Sequence, residues 1–295
     1  MTEAAGGRAV ARRARRRACW LAPAIALGLA CTIGAAGAAP AVPAAPGSAV
    51  QLEALTWPEL AERVAGGATT VLVPIGGTEQ NGPHMVLGKH NVRVKALAEG
   101  IARALDHTLV APVLAYVPEG AIDPPAAHMR FAGTISIPEA AFESLLESTA
   151  RSLRRHGFRE VVLLGDHGGY QKSLDKVAGK LNREWAGDPA ASRCRVHALS
   201  EYYRAAQAGH AELLAARGFG AAEIGSHAGL ADTALTLAID PSLVRLDKLQ
   251  QAAAAGQRGG VYGDPRRATA ELGQPGVDRI VAASVAAIRE RTRLR

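Results

Sequence analysis

The chain of 295 residues is long enough to form one large domain with a substantial core. Its net charge of +7 would suit a nucleic-acid partner, but six arginines and one acidic residue lie before residue 40. Without that segment, the totals of 34 basic and 27 acidic residues fall to 28 and 26. The charge of the remaining chain therefore gives no indication of a nucleic-acid partner.

The first segment, residues 1–39, has the features of a signal peptide. An arginine-rich start precedes an apolar run from Cys19 to Ile33, and small residues follow at the expected cleavage position. The run is too short and too rich in alanine and glycine for a stable membrane span, so none is expected in the mature chain. We expect export to the periplasm or the medium, with lipoprotein processing less favoured. Residues 40–50 then form a flexible leader.

Residues 51–295 are expected to form one α/β domain in which strands and helices alternate. Apolar residues at helical spacing predict helices over 57–65, 92–105, 138–156, 171–185 and 277–291. Apolar runs predict strands over 71–73, 108–117, 160–164 and 195–199, whereas 235–239 suits either a strand or a helix. Because strand–loop–helix units recur, we predict a layered domain with a mainly parallel sheet.

The stretch from Val71 to Asn91 places polar residues directly after a predicted strand. Its sequence is VLVPIGGTEQNGPHMVLGKHN, in which Pro74 and the Gly76–Gly77 pair end the strand and allow a tight turn. A carboxylate, two amides and two imidazoles follow this turn. Because open α/β sheets bind ligands at the carboxyl ends of their strands, this loop is a candidate site.

Three groups of polar residues are candidates for a single metal site. They are Glu79, Asn81, His84 and His90; Asp166 and His167; and His227 and Asp232. Imidazole and carboxylate ligands suit Zn²⁺, Mn²⁺ or Fe²⁺, and such an ion acidifies a water and polarises a carbonyl for amide hydrolysis. His167 is favoured as a ligand, and His227 or Asp232 is a candidate to carry protons.

Other interpretations of individual residues stay open. His84 either binds metal or holds its loop by a hydrogen bond, and Asp166 either binds metal or caps the following helix. His128 and His156 are expected to be structural or solvated, and His156 lies near a helix C-terminus where a positive charge is stabilised.

Four segments resemble the creatininase (creatinine amidohydrolase) family. Gly76–His90, GGTEQNGPHMVLGKH, resembles the family motif G-S-x-E-Q-H-G-P-H-L-P-L-x-T-D. Gly133–Ser136 is the second segment. The third, Asp166–Tyr170, resembles N-G-H-G-G-N, and the fourth, His227–Thr233, resembles H-A-G-x-x-E-T. The order and spacing of these segments agree with the family over nearly all of the mature chain.

The resemblance implies a three-layer α/β/α fold, often assembled as hexamers, with a divalent-metal centre. It implies hydrolysis of carbon–nitrogen bonds other than peptide bonds. Glu79 and His167 match metal ligands of the family, whereas His227 and Asp232 match residues placed near the substrate.

Three positions depart from the family pattern. Asn81 stands where the family has a ligand histidine, His90 where it has a metal-bridging aspartate, and Gly169 where creatininase has a glutamate. A neutral amide is a poor ligand, and an imidazole bridges two ions poorly. We therefore predict one ion rather than two. The predicted ligands are Glu79, His90 and His167, with Asp166 or Asp232 as a possible fourth ligand and Asn81 as a further candidate.

The predicted function is hydrolysis of an amide or cyclic amide bond in a small molecule by a metal-activated water. Zinc or manganese is the favoured ion, iron is a third candidate, and a homo-oligomer is expected. Two alternatives stay open. One is a non-catalytic protein that binds a small molecule in the same cleft, and the other is a two-metal creatinine amidohydrolase.

Overall fold

Four parallel strands form the sheet at the centre of the fold. The computed structural model describes residues 49–189, 191 and 193–293, so the predicted signal peptide and most of the predicted leader lie outside it. The strands are β1 (Thr70–Ile75), β2 (Thr108–Val110), β3 (Glu160–Gly165) and β4 (Arg195–Ala198). They lie in the order β2-β1-β3-β4, and β1 pairs with β3 along its full length.

Helices follow each strand and cover both faces of the sheet. Within the described residues they are α1 (Trp57–Ala65), α2 (Lys89–Leu105), α3 (Glu139–Arg155), α4 (Gln171–Ala186), α5 (Ser200–Arg204), α6 (His210–Ala215), α7 (Ala221–Ile224), α8 (Leu230–Ile239), α9 (Leu249–Ala255) and α10 (Ala270–Arg293). None of the helices in this described part is both long enough and apolar enough to cross a bilayer.

The two faces of the sheet pack against different helices, which gives three layers. Val71 and Val73 of β1 lie in one apolar cluster with side chains of α3 and α4, such as Phe142. Leu72 lies in a second cluster with side chains of α2 and α10, such as Ile280. Because side chains alternate along a strand, a strand between two helical layers is apolar at successive positions. The predicted three-layer α/β/α fold is confirmed.

A buried tyrosine joins the carboxyl ends of β1 and β3. The Tyr170 hydroxyl lies 2.8 Å from the carbonyl oxygen of Ile75 and 2.7 Å from that of Gly76. It also accepts hydrogen bonds from the backbone N–H groups of Asp166 and His167, each at 3.1 Å. These contacts fix the loop after β1 against the loop after β3, and both loops carry predicted ligands.

Some element boundaries differ from the prediction. Helix α2 begins at Lys89 rather than at residue 92, so His90 lies in its first turn. Strand β2 ends at Val110, shortly before Pro112, which has no N–H to extend a ladder. Residues 235–239, which suit either element, belong to helix α8, and the final helix begins at residue 270 rather than 277.

Candidate metal centre

Two carboxylates and two imidazoles meet near the carboxyl edge of the sheet. Glu79 follows β1, Glu119 and His128 lie in the segment after β2, and His167 follows β3. Each offers one potential ligand atom, and these four atoms all lie within 4.8 Å of one another. We call these four residues the ligand cluster.

The loop that carries Glu79 is held by hydrogen bonds to neighbouring segments. The N–H of Gly77 donates to Asn91 Oδ1 at 2.9 Å, and the N–H of Glu79 donates to the carbonyl of Leu87 at 3.1 Å. A side chain at Gly76 would clash with Asn91 Oδ1, so a glycine is needed for this close approach of α2. The predicted glycine turn therefore sets the position of Glu79.

The Glu79 carboxylate is fully buried and lies among four imidazoles. Its Oε1 lies 2.8 Å from His90 Nε2 and 3.7 Å from His227 Nδ1. Its Oε2 lies 3.2 Å from His128 Nε2 and 3.6 Å from His167 Nε2. Burial opposes ionisation, but the hydrogen bond and charge of His90 outweigh it and hold the pKa of Glu79 below its usual range. Glu79 therefore carries a negative charge.

Glu119 is buried beside Glu79. Among the described residues, no N–H group or hydroxyl donates a hydrogen bond to either of its oxygens or to Glu79 Oε2. Burial, the negative charge of Glu79 and a hydrogen bond between the two carboxyl groups raise the pKa of Glu119 to about 9, so Glu119 is protonated at neutral pH when no cation is bound. Buried polar atoms normally have partners, so these three oxygens form an environment that a cation would complete.

The imidazoles of the ligand cluster are neutral at physiological pH. Burial lowers the pKa of His128, and it lowers the pKa of His167 to about 4. A neutral imidazole has the lone pair that a metal ion requires. With two carboxylates, the two imidazoles form a nitrogen and oxygen donor set that suits Zn²⁺ or Mn²⁺. The residues present therefore fit a divalent ion.

His90 and Asp166, two of the predicted ligands, lie outside the ligand cluster. His90 joins two carboxylates, with Nε2 2.8 Å from Glu79 and Nδ1 2.5 Å from Asp166. Asp166 also accepts hydrogen bonds from Arg93 Nε at 2.9 Å and from the Tyr202 hydroxyl at 2.6 Å. Burial opposes its ionisation, but Arg93 lowers the pKa of Asp166 to about 2. Both residues are thus engaged by other side chains.

Asn81 and His84 also lie outside the ligand cluster, and both contact the chain around them. The Asn81 amide group donates to the carbonyl of Glu79 at 2.8 Å and to that of Val86 at 3.1 Å. His84 Nε2 lies 2.9 Å from Thr233 Oγ1. These contacts favour the loop-holding interpretation of His84. They commit the NH2 group of Asn81 to the backbone, whereas its Oδ1 is buried without a hydrogen-bond partner.

Asp232, a predicted proton carrier, belongs to a buried network of ion pairs. Its carboxylate binds Lys89 Nζ, lies 2.7 Å from Arg93 Nη1 and accepts the N–H of Ala228 at 2.9 Å. Burial opposes ionisation, but Lys89 and Arg93 outweigh it and hold the pKa of Asp232 well below its usual range. Because this carboxylate resists protonation near neutral pH, these contacts favour a positioning role over proton transfer.

His227, the other predicted catalytic residue, does reach the ligand cluster. Its Nε2 lies 3.0 Å from the carbonyl oxygen of Gln80 and 3.1 Å from the side-chain Nε2 of Gln80, so it faces both an acceptor and a donor. Its Nδ1 lies 3.7 Å from Glu79 Oε1. Burial lowers the pKa of His227 to about 4. The ring is therefore neutral near pH 7, and one of its nitrogens carries a lone pair.

Glu119 and His128 both belong to the ligand cluster. Glu119 is not among the candidates from the sequence, and His128 is expected there to be structural or solvated. Both lie in the turn-rich segment between β2 and α3, where no periodic pattern shows which side chains point inward. One signal does point to Glu119, because it follows the predicted strand 108–117 at its carboxyl end. His128 carries no comparable signal, and its approach to Glu79 corrects the expectation.

Two cavities open beside the ligand cluster. The larger, of about 510 Å³, is lined by Glu119, His128 and His167 among others. The smaller, of about 240 Å³, is lined by Gln80, His128 and His227 among others. Because His128 lines both cavities, a small molecule extending into both would pass beside the ligand cluster.

Comparison with known proteins gives consistent matches. The matching family is described as Creatininase, creatinine amidohydrolase, and the match covers residues 53–288. The creatinine amidohydrolase of Pseudomonas putida is 30% identical over 199 residues, which cover 66% of this chain and 74% of that protein. The mycofactocin precursor peptide peptidase of Mycobacterium ulcerans is 29% identical over 243 residues, which cover 74% of this chain and 80% of that protein.

Solved creatininase structures share the fold. A mutant creatininase of the Zn-Zn type has a TM-score of 0.66 and 26% identity, covering 82% of this chain and 98% of that chain. A manganese creatininase has a TM-score of 0.65 and 27% identity over the same shares of 82% and 98%. With the ligand cluster, these matches support a divalent metal and hydrolysis of carbon–nitrogen bonds. The chain belongs to the creatininase family.

Proposed function

We propose that this chain is an amidohydrolase that cleaves a carbon–nitrogen bond of a small amide with one divalent ion, Zn²⁺ or Mn²⁺. The ligand cluster carries the proposal, because it sets three buried carboxyl oxygens, Glu79 Oε2 and both oxygens of Glu119, which no N–H group or hydroxyl of the described residues contacts, beside the neutral imidazoles of His128 and His167. These four residues would hold the ion. When bound, the ion supplies a Lewis acid that acidifies a water and polarises the amide carbonyl.

Three positions, Asn81, His90 and Gly169, differ from the family motif, and their contacts support one ion rather than two. Both nitrogens of His90 already face carboxylates, at 2.8 Å from Glu79 and 2.5 Å from Asp166. The NH2 group of Asn81 is bonded to two backbone carbonyls, and its Oδ1 is a neutral amide oxygen, a poor ligand. Gly169 offers no ligand atom at the third position. A second ion would therefore lack the donors that those positions supply in the family pattern.

His227 is the residue we assign to proton transfer. In the tautomer whose Nε2–H donates to the Gln80 carbonyl, Nδ1 can accept a proton from the attacking water and return it to the leaving nitrogen. Because His227 lines the smaller cavity, the leaving nitrogen would lie on that side of the ligand cluster.

A buried network of ion pairs holds the ligand cluster in place from the side of α2. Arg93 contacts both Asp166 and Asp232, and Asp166 in turn holds His90 against Glu79. A metal-binding side chain that hydrogen bonds already orient loses less conformational entropy when the ion binds. We assign Asp166, Asp232 and His90 to positioning rather than to metal binding.

Metal analysis and an amide screen test this proposal. Purified protein should hold one zinc or manganese ion per chain and hydrolyse members of a panel of lactams, linear amides and short peptides. His227→Ala should keep its metal while losing about 10²- to 10⁴-fold in kcat. One bound ion with no hydrolysis would favour the non-catalytic alternative, and two ions per chain would favour the two-metal alternative. Cleavage restricted to peptides would place the chain nearer the peptidase relative.

A further inference from the structure

We propose that the substrate is a linear amide with a free carboxylate on the nitrogen side of the scissile bond, the chemistry of an N-acyl amino acid. This inference rests on the proposed hydrolase function and names the substrate class of the same site. It follows from the different charges that line the two cavities.

The smaller cavity is suited to an anionic group. Arg130 is the lining residue with a permanent charge, and the hydroxyl-bearing residues Ser226 and Tyr262 line the same cavity. The Arg130 Nε donates to the carbonyl of Ala127 at 3.2 Å, and no carboxylate of the described residues pairs with its guanidinium. An arginine forms strong, often bidentate hydrogen bonds with a carboxylate. Arg130 is exposed at this cavity, so its guanidinium is accessible to pair with a ligand carboxylate.

The larger cavity is suited to an uncharged apolar group. Ala121, Ile137 and Pro138 contribute apolar surface, and its acidic lining residues are Glu119 and Glu139. Glu139 disfavours a second carboxylate on this side, whereas the apolar surface favours burial of an acyl chain or ring. The two cavities therefore impose opposite preferences on the two halves of a substrate.

The position of His227 decides which half of the amide carries the carboxylate. His227, which we assign to protonate the leaving nitrogen, lines the smaller cavity together with Arg130. The amine half of the substrate must then lie in the smaller cavity, and the acyl half lies in the larger one. Since Arg130 faces the amine half, the amine product carries the carboxylate and is an amino acid.

A matched pair of substrates tests this inference. N-benzoylglycine and N-benzoylglycinamide differ only in the terminal carboxylate, and benzoate release reports cleavage of the same bond in both. We expect kcat/KM to favour the acid by about tenfold in the wild-type protein, through KM. Arg130→Gln should abolish that preference, because KM for the acid rises to the value for the carboxamide in the same variant. Arg103→Gln, which alters an exposed arginine on α2, serves as the control.

The outcomes separate this inference from the proposed function. Equal hydrolysis of acid and carboxamide, or a preference that survives Arg130→Gln, would overturn the inference while leaving the hydrolase intact. If neither compound is hydrolysed, calorimetric binding of the same pair decides. Tighter binding of the acid that is lost in Arg130→Gln would support the carboxylate site, and equal binding would overturn it.

Discussion

A Cβ atom added to Gly77 would lie 2.5 Å from Glu119 Oε1, so the Glu119 carboxylate occupies space that a side chain at position 77 would fill. The creatininase motif has a serine at this position, and creatininase has a glutamate where this chain has Gly169. Here both positions are glycine, and a carboxylate enters from the segment after β2, with Oε2 3.4 Å from His167 Nδ1. In this chain, the acidic group beside His167 therefore comes from the segment after β2.

The first prediction concerns Gly77→Ala. The new methyl group should displace the Glu119 carboxylate and lower metal affinity by about 10- to 100-fold, as other changes around metal ligands do. Competition with a chelator measures the affinity. Gly220→Ala is the control, because a Cβ there meets no atom within 4 Å. Unchanged affinity in Gly77→Ala would show that the packing of these two residues has no bearing on the ion.

The second prediction concerns Glu119→Gln, which keeps the shape of the side chain and removes its charge. We expect metal content after dialysis to fall to near zero, whereas Glu139→Gln, which alters an acid lining the same cavity, should retain the ion. In metal-free protein, folded chains keep a proton on Glu119 that unfolded chains release above pH 4.5, the ordinary pKa of a glutamate. The folded state therefore loses stability as pH rises from 4.5 towards about 9. Metal-free Glu119→Gln should therefore be at least as stable at pH 8 as the metal-free wild type. Full metal retention by Glu119→Gln after dialysis would exclude Glu119 as a ligand.

The third prediction concerns the buried ion network. Asp232→Ala leaves Lys89 and Arg93 buried without this partner, which should lower the free energy of unfolding by about 3–5 kcal/mol. Asp247→Ala, at an exposed pair with Lys248, should cost less than about 1 kcal/mol. Urea denaturation of both variants provides the comparison. A loss in Asp232→Ala as small as that in Asp247→Ala would contradict the buried network.

The fourth prediction concerns the response of stability to acid. Burial lowers the pKa of His84 from 6.5 to about 4. Between these two pH values, His84 is protonated in unfolded chains and neutral in folded chains. Stability attributable to His84 is constant above pH 6.5 and falls below it, by at most about 1.4 kcal/mol per pH unit. In metal-free protein, His84→Asn should flatten this slope between pH 6 and 4.5 relative to wild type. The exposed His156→Asn is the comparison variant, and an equal slope in His84→Asn would contradict the assignment.

Sequence predicted the part of the site that follows from local pattern. The apolar run before Gly76 and the run before Asp166 mark two buried strands, and adjacent parallel strands bring their carboxyl ends together. Glu79 and His167 were therefore predicted to approach each other, and their side chains lie 3.6 Å apart. The Gly76–Gly77 pair is also a local signal, because Gly76 lies where Asn91 of α2 leaves no space for a side chain.

The remaining parts depend on contacts that local pattern does not encode. Glu119 and His128 lie in a segment with little regular structure, so their direction depends on how that segment packs against β1 and β3. Lys89 resembles a surface residue in the sequence, yet it is buried against Asp232, 143 positions away. His90 is predicted as a ligand together with Glu79 and His167, and its contact with Asp166, 76 positions away, leaves no signal in the local sequence.

Anomalous diffraction from crystals of the zinc-loaded protein tests the central claim most directly. We predict one zinc peak per chain, with Glu79, Glu119, His128 and His167 at coordinating distances of about 2.0–2.2 Å. Two peaks per chain, or a single peak coordinated by His90 and Asp166 without Glu119 and His128, would contradict the account.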